Sequence, residues 1–214
     1  MIPFPPISPI IVQFNLGGLT LALRWYALAY ILGLLIAWAL IRRAIRRAQL
    51  WAPGNAPLTA DQLERLMTWV ILGVILGGRL GYVLFYQPEF YFSHPWKIPA
   101  VWEGGLASHG AVPGILLGVW LYSRRATDQS FLWVCDRIGM AVPLSGCLIR
   151  LGNFFNSEIL GRPTDVPWAV VFARIDAVPR HPVQLYEALC YLLIFLFQFR
   201  YYLKRGDAGP EGYL

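Results

Sequence analysis

Five charged or titratable side chains interrupt long apolar runs of this sequence: Arg24, Arg79, His109, Arg150 and Glu187. A charge deep in a membrane span costs at least about 2.5–3.5 kcal/mol, so each needs a partner or a task. Arginines with tyrosine, asparagine and histidine suit an anionic phosphate, because the guanidinium fork grips its oxygens bidentately and keeps its charge. A histidine with a carboxylate nearby can move a proton. Each residue taken singly also has a structural explanation. Long side chains near span ends reach the headgroups, which accounts for Arg24 or Arg150 but less well for Arg79 and His109.

Other chemistries find little support. The sequence holds no serine-nucleophile elbow, zinc motif or phosphate loop. His94, His109 and His181 have no metal-ligand spacing, so neither a metal nor another cofactor is expected. Cys135, Cys147 and Cys190 lie within or at the ends of apolar runs and read as small packed residues, not as a disulfide framework.

The elements that must position these residues are membrane spans. The 214 residues are 57% hydrophobic and only 14% charged, with mean hydropathy +0.51, against roughly 25% charged in soluble domains. Runs near the ~20 residues needed to cross a bilayer predict an all-α, polytopic helix bundle. Its five spans are Leu19–Ile41, Leu66–Tyr86, Leu106–Tyr122, Phe131–Leu151 and Val183–Leu203. Residues 1–18, broken by Pro3, Pro5, Pro6 and Pro9, read as an interfacial arm. Residues 19–214 then form the bundle, with a loop or head segment at about 152–182. No cleavable signal peptide is expected, since the first charge is Arg24.

Basic residues orient this bundle. Arg42, Arg43, Arg46 and Arg47 follow the first span, Arg124 and Arg125 the third, Lys204 and Arg205 the fifth. By the positive-inside rule those loops are cytoplasmic and the N-terminus is periplasmic. The net charge of +6 therefore marks topology and not nucleic-acid binding. With that orientation all five interrupting residues fall toward the outer leaflet, which favours a shared functional site. Gly73, Gly77 and Gly81, like Gly110, Gly114 and Gly118, recur every four residues and predict close helix packing.

Several blocks resemble the prolipoprotein diacylglyceryl transferases. They are Arg24-Trp-Tyr-Ala-Leu-Ala-Tyr30, Gly77-Gly-Arg-Leu-Gly-Tyr82 and Trp102-Glu-Gly-Gly-Leu-Ala-Ser-His-Gly110. The most specific are Arg150-Leu-Gly-Asn-Phe-Phe-Asn-Ser-Glu158, continuing through Gly161-Arg162 and Pro167-Trp168, and Arg180-His-Pro-Val-Gln-Leu-Tyr-Glu187. Together they run in family order along nearly the whole chain.

The resemblance implies a transferase of the bacterial inner membrane, acting at its periplasmic face. It would move diacylglyceryl from phosphatidylglycerol to the lipobox cysteine of a prolipoprotein, forming a thioether and releasing glycerol phosphate. Carried over by motif, Arg150, Asn153, Arg79 and Asn156 would hold the phosphatidylglycerol headgroup. His109, Tyr26 and Glu158 would serve the reacting centre, with His109 a candidate base or a positioning group. Tyr186, Glu187, Arg180 and His181 would support them. Ala27, Ala111 and Val183 depart mildly from the family pattern. The family is expected to have seven spans against five here, and Gly209-Pro-Glu-Gly-Tyr-Leu214 resembles the start of a further segment. An inactive truncated paralogue or fragment, or a protein that binds or transports an anionic lipid, stands as the alternative.

Overall fold

The computed structural model describes residues 1–16, 19–47, 58–205 and 212. The chain divides into two compact units, Met1–Ala44 with Ile138–Gly206, and Ile45–Arg137 with Asp207–Leu214. Both are mainly helical.

The first unit opens on strand β1 (Ile2–Pro3) and a hairpin of β2 (Ile10–Leu16) and β3 (Leu19–Arg24). Helix α1 (Trp25–Ile45) follows. The expected start of the first span at Leu19 thus gives way to a strand and a helix that begins six residues later. The sequence Leu-Thr-Leu-Ala-Leu-Arg supports either reading by apolarity, and pairing with β2 decides it. The Trp25 indole, which donates to Ser8 O at 2.9 Å, pins the junction.

Helices α6 (Val142–Asn156) and α7 (Val183–Arg205) pack against each other in this unit. Between them the segment 157–182 is tied down by β4 (Val170–Val171) and β5 (Pro179–Arg180). β4 takes β1 on one side in parallel and β5 on the other in antiparallel. The Phe4 ring stacks on Phe172 and tilts against Phe154, so the first residues of the chain belong structurally with the head segment. Small residues let the helices close: Ser145 Oγ donates to Gly33 O at 3.1 Å, and Gly152 faces Ala29 and Tyr26 of α1.

The second unit contains α2 (Ala60–Phe85), α3 (Pro88–Ser93), α4 (Ser108–Arg125) and most of α5 (Phe131–Gly139). α2 starts six residues before the expected span because Thr59 and Gln62 form a reciprocal capping box. The two glycine rows meet as their spacing predicts. A Cβ at Gly77 would lie 2.8 Å from Gly114 Cα, and one at Gly81 would lie 2.7 Å from Gly110 Cα. Backbone against backbone leaves no flexible neighbour to yield.

Among the described residues three helices are long and apolar enough to cross a membrane: α1, α2 and α7. The expected fourth span is broken between α5 and α6, and the pair would be a further crossing if counted as one. α4, the expected third span, is absent from that set. At 1.5 Å rise its 18 residues reach roughly 27 Å, and they include Ser108, His109, three glycines and two terminal arginines.

Candidate functional site

α6 carries Arg150, Asn153 and Asn156 at three-residue spacing, which aligns them along one helix face. The helix runs five residues beyond the expected end of its span, so this motif is helical and not part of a loop. Arg150 Nε forms an ion pair with the Glu187 carboxylate from the second turn of α7. Its Nη1 lies 3.5 Å from Asn153 Oδ1, a long contact. Asn153, only 3% exposed, donates through Nδ2 to Glu158 Oε2 at 3.0 Å. Asn156 Nδ2 donates to the other carboxylate oxygen, Oε1, at 3.1 Å. The result is a polar row, Glu187–Arg150–Asn153–Glu158. Arg150 Nη2 has no protein partner among the described residues, so part of the guanidinium fork can still accept an anion.

Glu158 is presented by an unusual turn. Ser157 and Ile159, on either side of it, both have positive φ, 57° and 53°. Left-handed backbone is uncommon for any side chain and a real outlier for a β-branched one. Glu158 N–H donates to Asn153 O at 2.9 Å, and Ser157 N–H to Phe154 O at 3.0 Å. These two bonds form a Schellman closure of α6, with serine where glycine is usual. Arg174 explains the serine: its Nη2 donates to Ser157 Oγ at 2.9 Å and to Phe155 O at 2.7 Å, over the Phe4 ring.

Tyr26 enters from the first turn of α1. Its hydroxyl donates to Tyr30 Oη at 3.0 Å and lies within electrostatic range of Glu158 and Arg150. Tyr186 Oη accepts from Trp168 Nε1 at 2.6 Å and sits 3.2 Å from His181 Nδ1. Arg180 braces the head segment, pairing with Asp176 at 2.5 Å and donating to Gly161 O at 3.3 Å. The bond from Arg180, helped by the Val178 N–H, holds the Asp176 carboxyl below the usual carboxylate range. Its contribution to stability is therefore present above the unfolded carboxylate pKa and lost as pH falls through the lowered one.

The remaining two expected site residues belong to the second unit. His109, in the first turn of α4, is exposed and makes ring contacts with Tyr86 and Phe85 at 5.6 and 5.3 Å. Arg79 is 3% exposed, and its guanidinium is occupied by loop carbonyls. Nε donates to Ile98 O at 2.8 Å, Nη2 to Lys97 O at 2.7 Å, and Nη1 to Gly104 O and Gly105 O at 2.5 and 3.3 Å. The Tyr91 ring lies beside it at 4.9 Å. Gly104 and Gly105 take φ of 86° and 80°, conformations suited to glycine, and a Cβ at Gly105 would strike the Tyr82 ring. A loop-holding role for Arg79 is what these partners display.

Sequence reasoning missed five residues. Asp136 and Arg137, 3% and 2% exposed, sit inside the expected fourth span, with Arg137 over the Trp133 ring; the rule used for the other five charges would have found them. Tyr30 was visible one helical turn from Tyr26. Gln184 and Arg174 gave no comparable signal, since their partners are distant in sequence.

A family profile described as prolipoprotein diacylglyceryl transferase matches residues 11–211. The chain belongs to this family. A Cereibacter sphaeroides protein named phosphatidylglycerol–prolipoprotein diacylglyceryl transferase is 53% identical, over 87% of this chain and 66% of its own length. A second protein of that name from the same species is 51% identical, over 87% of this chain and 96% of its own length. One from Ruegeria pomeroyi is 48% identical, over 94% of this chain and 73% of its own. The chain thus spans about two thirds of the first of these relatives and nearly all of the second. As a prolipoprotein diacylglyceryl transferase family member with several apolar helices, it is a helical membrane protein of a transferase family.

Proposed function

We propose that this chain transfers the diacylglyceryl group of phosphatidylglycerol to the lipobox cysteine of a prolipoprotein. The row Glu187–Arg150–Asn153–Glu158 carries the reading, because it sets a partly engaged arginine fork beside a positioned carboxylate. The cysteine Sγ attacks the glyceryl carbon that bears the phosphate. The carbon–sulfur bond forms as the carbon–oxygen bond breaks, and the electron pair leaves on the phosphate oxygen of glycerol phosphate. Arg150 meets that growing charge where an oriented cation is most effective. The thiol must lose its proton to become a good nucleophile. Glu158 and His109 are the candidate acceptors, with Tyr26 lining the reacting centre.

Phosphatidylglycerol, the lipobox peptide and membrane lipid are the partners of this reading, and the bacterial inner membrane is its location. The site then faces the periplasmic leaflet, the N-terminus is outside, and the loops Arg42–Gln62 and Arg124–Ser130 are cytoplasmic, which the alternation of basic clusters supports. Residues 48–57 of the first loop lie outside the described residues. Cysteines introduced between Arg124 and Ser130 should resist a membrane-impermeant thiol reagent in intact cells. Efficient labelling there overturns the orientation.

The activity is tested by incubating the purified chain with phosphatidylglycerol and a lipobox peptide, beside the Ruegeria pomeroyi relative as a control. The expected result is a peptide heavier by one diacylglyceryl group, with equimolar glycerol phosphate. Lipid binding without transfer, in a preparation where the control is active, would instead support the inactive-fragment or lipid-binding alternative.

A further inference from the structure

We propose that Gln184 is a positioning residue that fixes the Glu158 carboxylate by clamping the strained turn that presents it. The inference rests on the reading of Glu158 as a group that serves transfer. Gln184 is the second residue of α7 and is fully buried. Its Nε2 donates to Glu158 O at 2.5 Å, while Glu158 N–H donates to Asn153 O. The backbone of Glu158 is thus held on both sides, from α7 and from α6. Between these clamps the side chain has little choice but to accept from Asn153 and Asn156.

Two costs point to a purpose for this arrangement. Ile159 is 55% exposed, so packing does not force its left-handed backbone, and such strain persists only where surrounding bonds over-determine it. Gln184 Oε1 is buried without a hydrogen-bond partner among the described residues, an expensive state for an amide. A methionine of similar length would fill the same space without that unmet amide oxygen, at the loss of the donor to Glu158 O. The bond from Nε2 is what the glutamine supplies in return. Without it the turn can relax toward ordinary φ values, and the carboxylate swings away from its two asparagines.

The test is Gln184→Met, made with and without Ile159→Gly, since glycine takes the left-handed backbone at that exposed position without strain. Gln184→Met should keep the wild-type unfolding temperature within a few degrees and lower kcat at least about tenfold, with KM for phosphatidylglycerol changed less than about threefold. Amide hydrogen exchange in the segment Asn153–Gly161 should speed up by about tenfold or more, while exchange along α7 beyond its first turn stays the same. Ile159→Gly alone should transfer within about threefold of wild type, and adding it to Gln184→Met should restore at least about threefold of the lost kcat, because the turn then has no strain to shed. If Gln184→Met fails to fold, Gln184→Leu takes its place. Wild-type kcat and exchange in the Gln184 variant, with Glu158→Gln inactive, overturns the positioning role and leaves the reading of Glu158 standing. Normal transfer by Glu158→Gln sinks that reading instead, and hydrogen exchange then decides whether Gln184 holds the turn.

Discussion

Arg150→Lys is expected to lower kcat/KM for diacylglyceryl transfer about a hundredfold while leaving the unfolding temperature nearly unchanged. The guanidinium binds Glu187 through Nε and reaches Asn153 through Nη1, and Nη2 is still available for an anion. A lysine ammonium is a single point that can satisfy the carboxylate or a phosphate oxygen, but cannot hold both in one plane. Losing one charge-assisted hydrogen bond is worth about 1.5–3 kcal/mol, and a hundredfold corresponds to about 2.7 kcal/mol. Stability should barely move, because the Arg150 and Glu187 side chains are 25% and 43% exposed and such pairs add little to folding. Steady-state transfer and thermal unfolding of the same preparation check both halves. Near-normal transfer by the lysine variant would reduce Arg150 to a generic interfacial cation.

Arg79→Met should act in the opposite way, on structure first. It removes the donors that serve four carbonyls, those of Lys97, Ile98, Gly104 and Gly105. Each buried carbonyl left unmet costs about 1–3 kcal/mol. Loop relaxation and hydration recover part of that sum, so a net loss of at least about 2 kcal/mol is expected. The loop from Lys97 to Gly105 should become sensitive to limited proteolysis, and the unfolding temperature in detergent should fall. If the loop stays protected while KM for phosphatidylglycerol rises tenfold, Arg79 has the headgroup role that its sequence position first suggested.

These two arginines show where the reading of the sequence stopped. Both interrupt apolar runs, and the cost of a buried charge marks both equally. Nothing in residue type or spacing says which one keeps donors to spare. The tertiary structure separates them: Arg79 meets a loop whose two positive-φ glycines bring carbonyls to it, and Arg150 meets one carboxylate and one amide.

Much was determined by the sequence itself. The apolar runs dictate a helical membrane protein, because only internally hydrogen-bonded helices or closed barrels satisfy the backbone in lipid. The glycine rows dictate the close approach of α2 and α4, and the motif around Arg150 to Glu158 carries the family. Long-range pairing decided the rest. Leu19–Arg24 is a strand because β2 lies beside it, and the first residues join the head because Val170 offers them an edge. Glu158 faces Asn153 and Asn156 because a turn with two left-handed residues ends α6 there, with Gln184 from α7 bonded to its carbonyl. Periodicity reports which face of one element is apolar, whereas the direction of a single carboxylate depends on bonds to residues 26 positions away, and only the folded chain makes them.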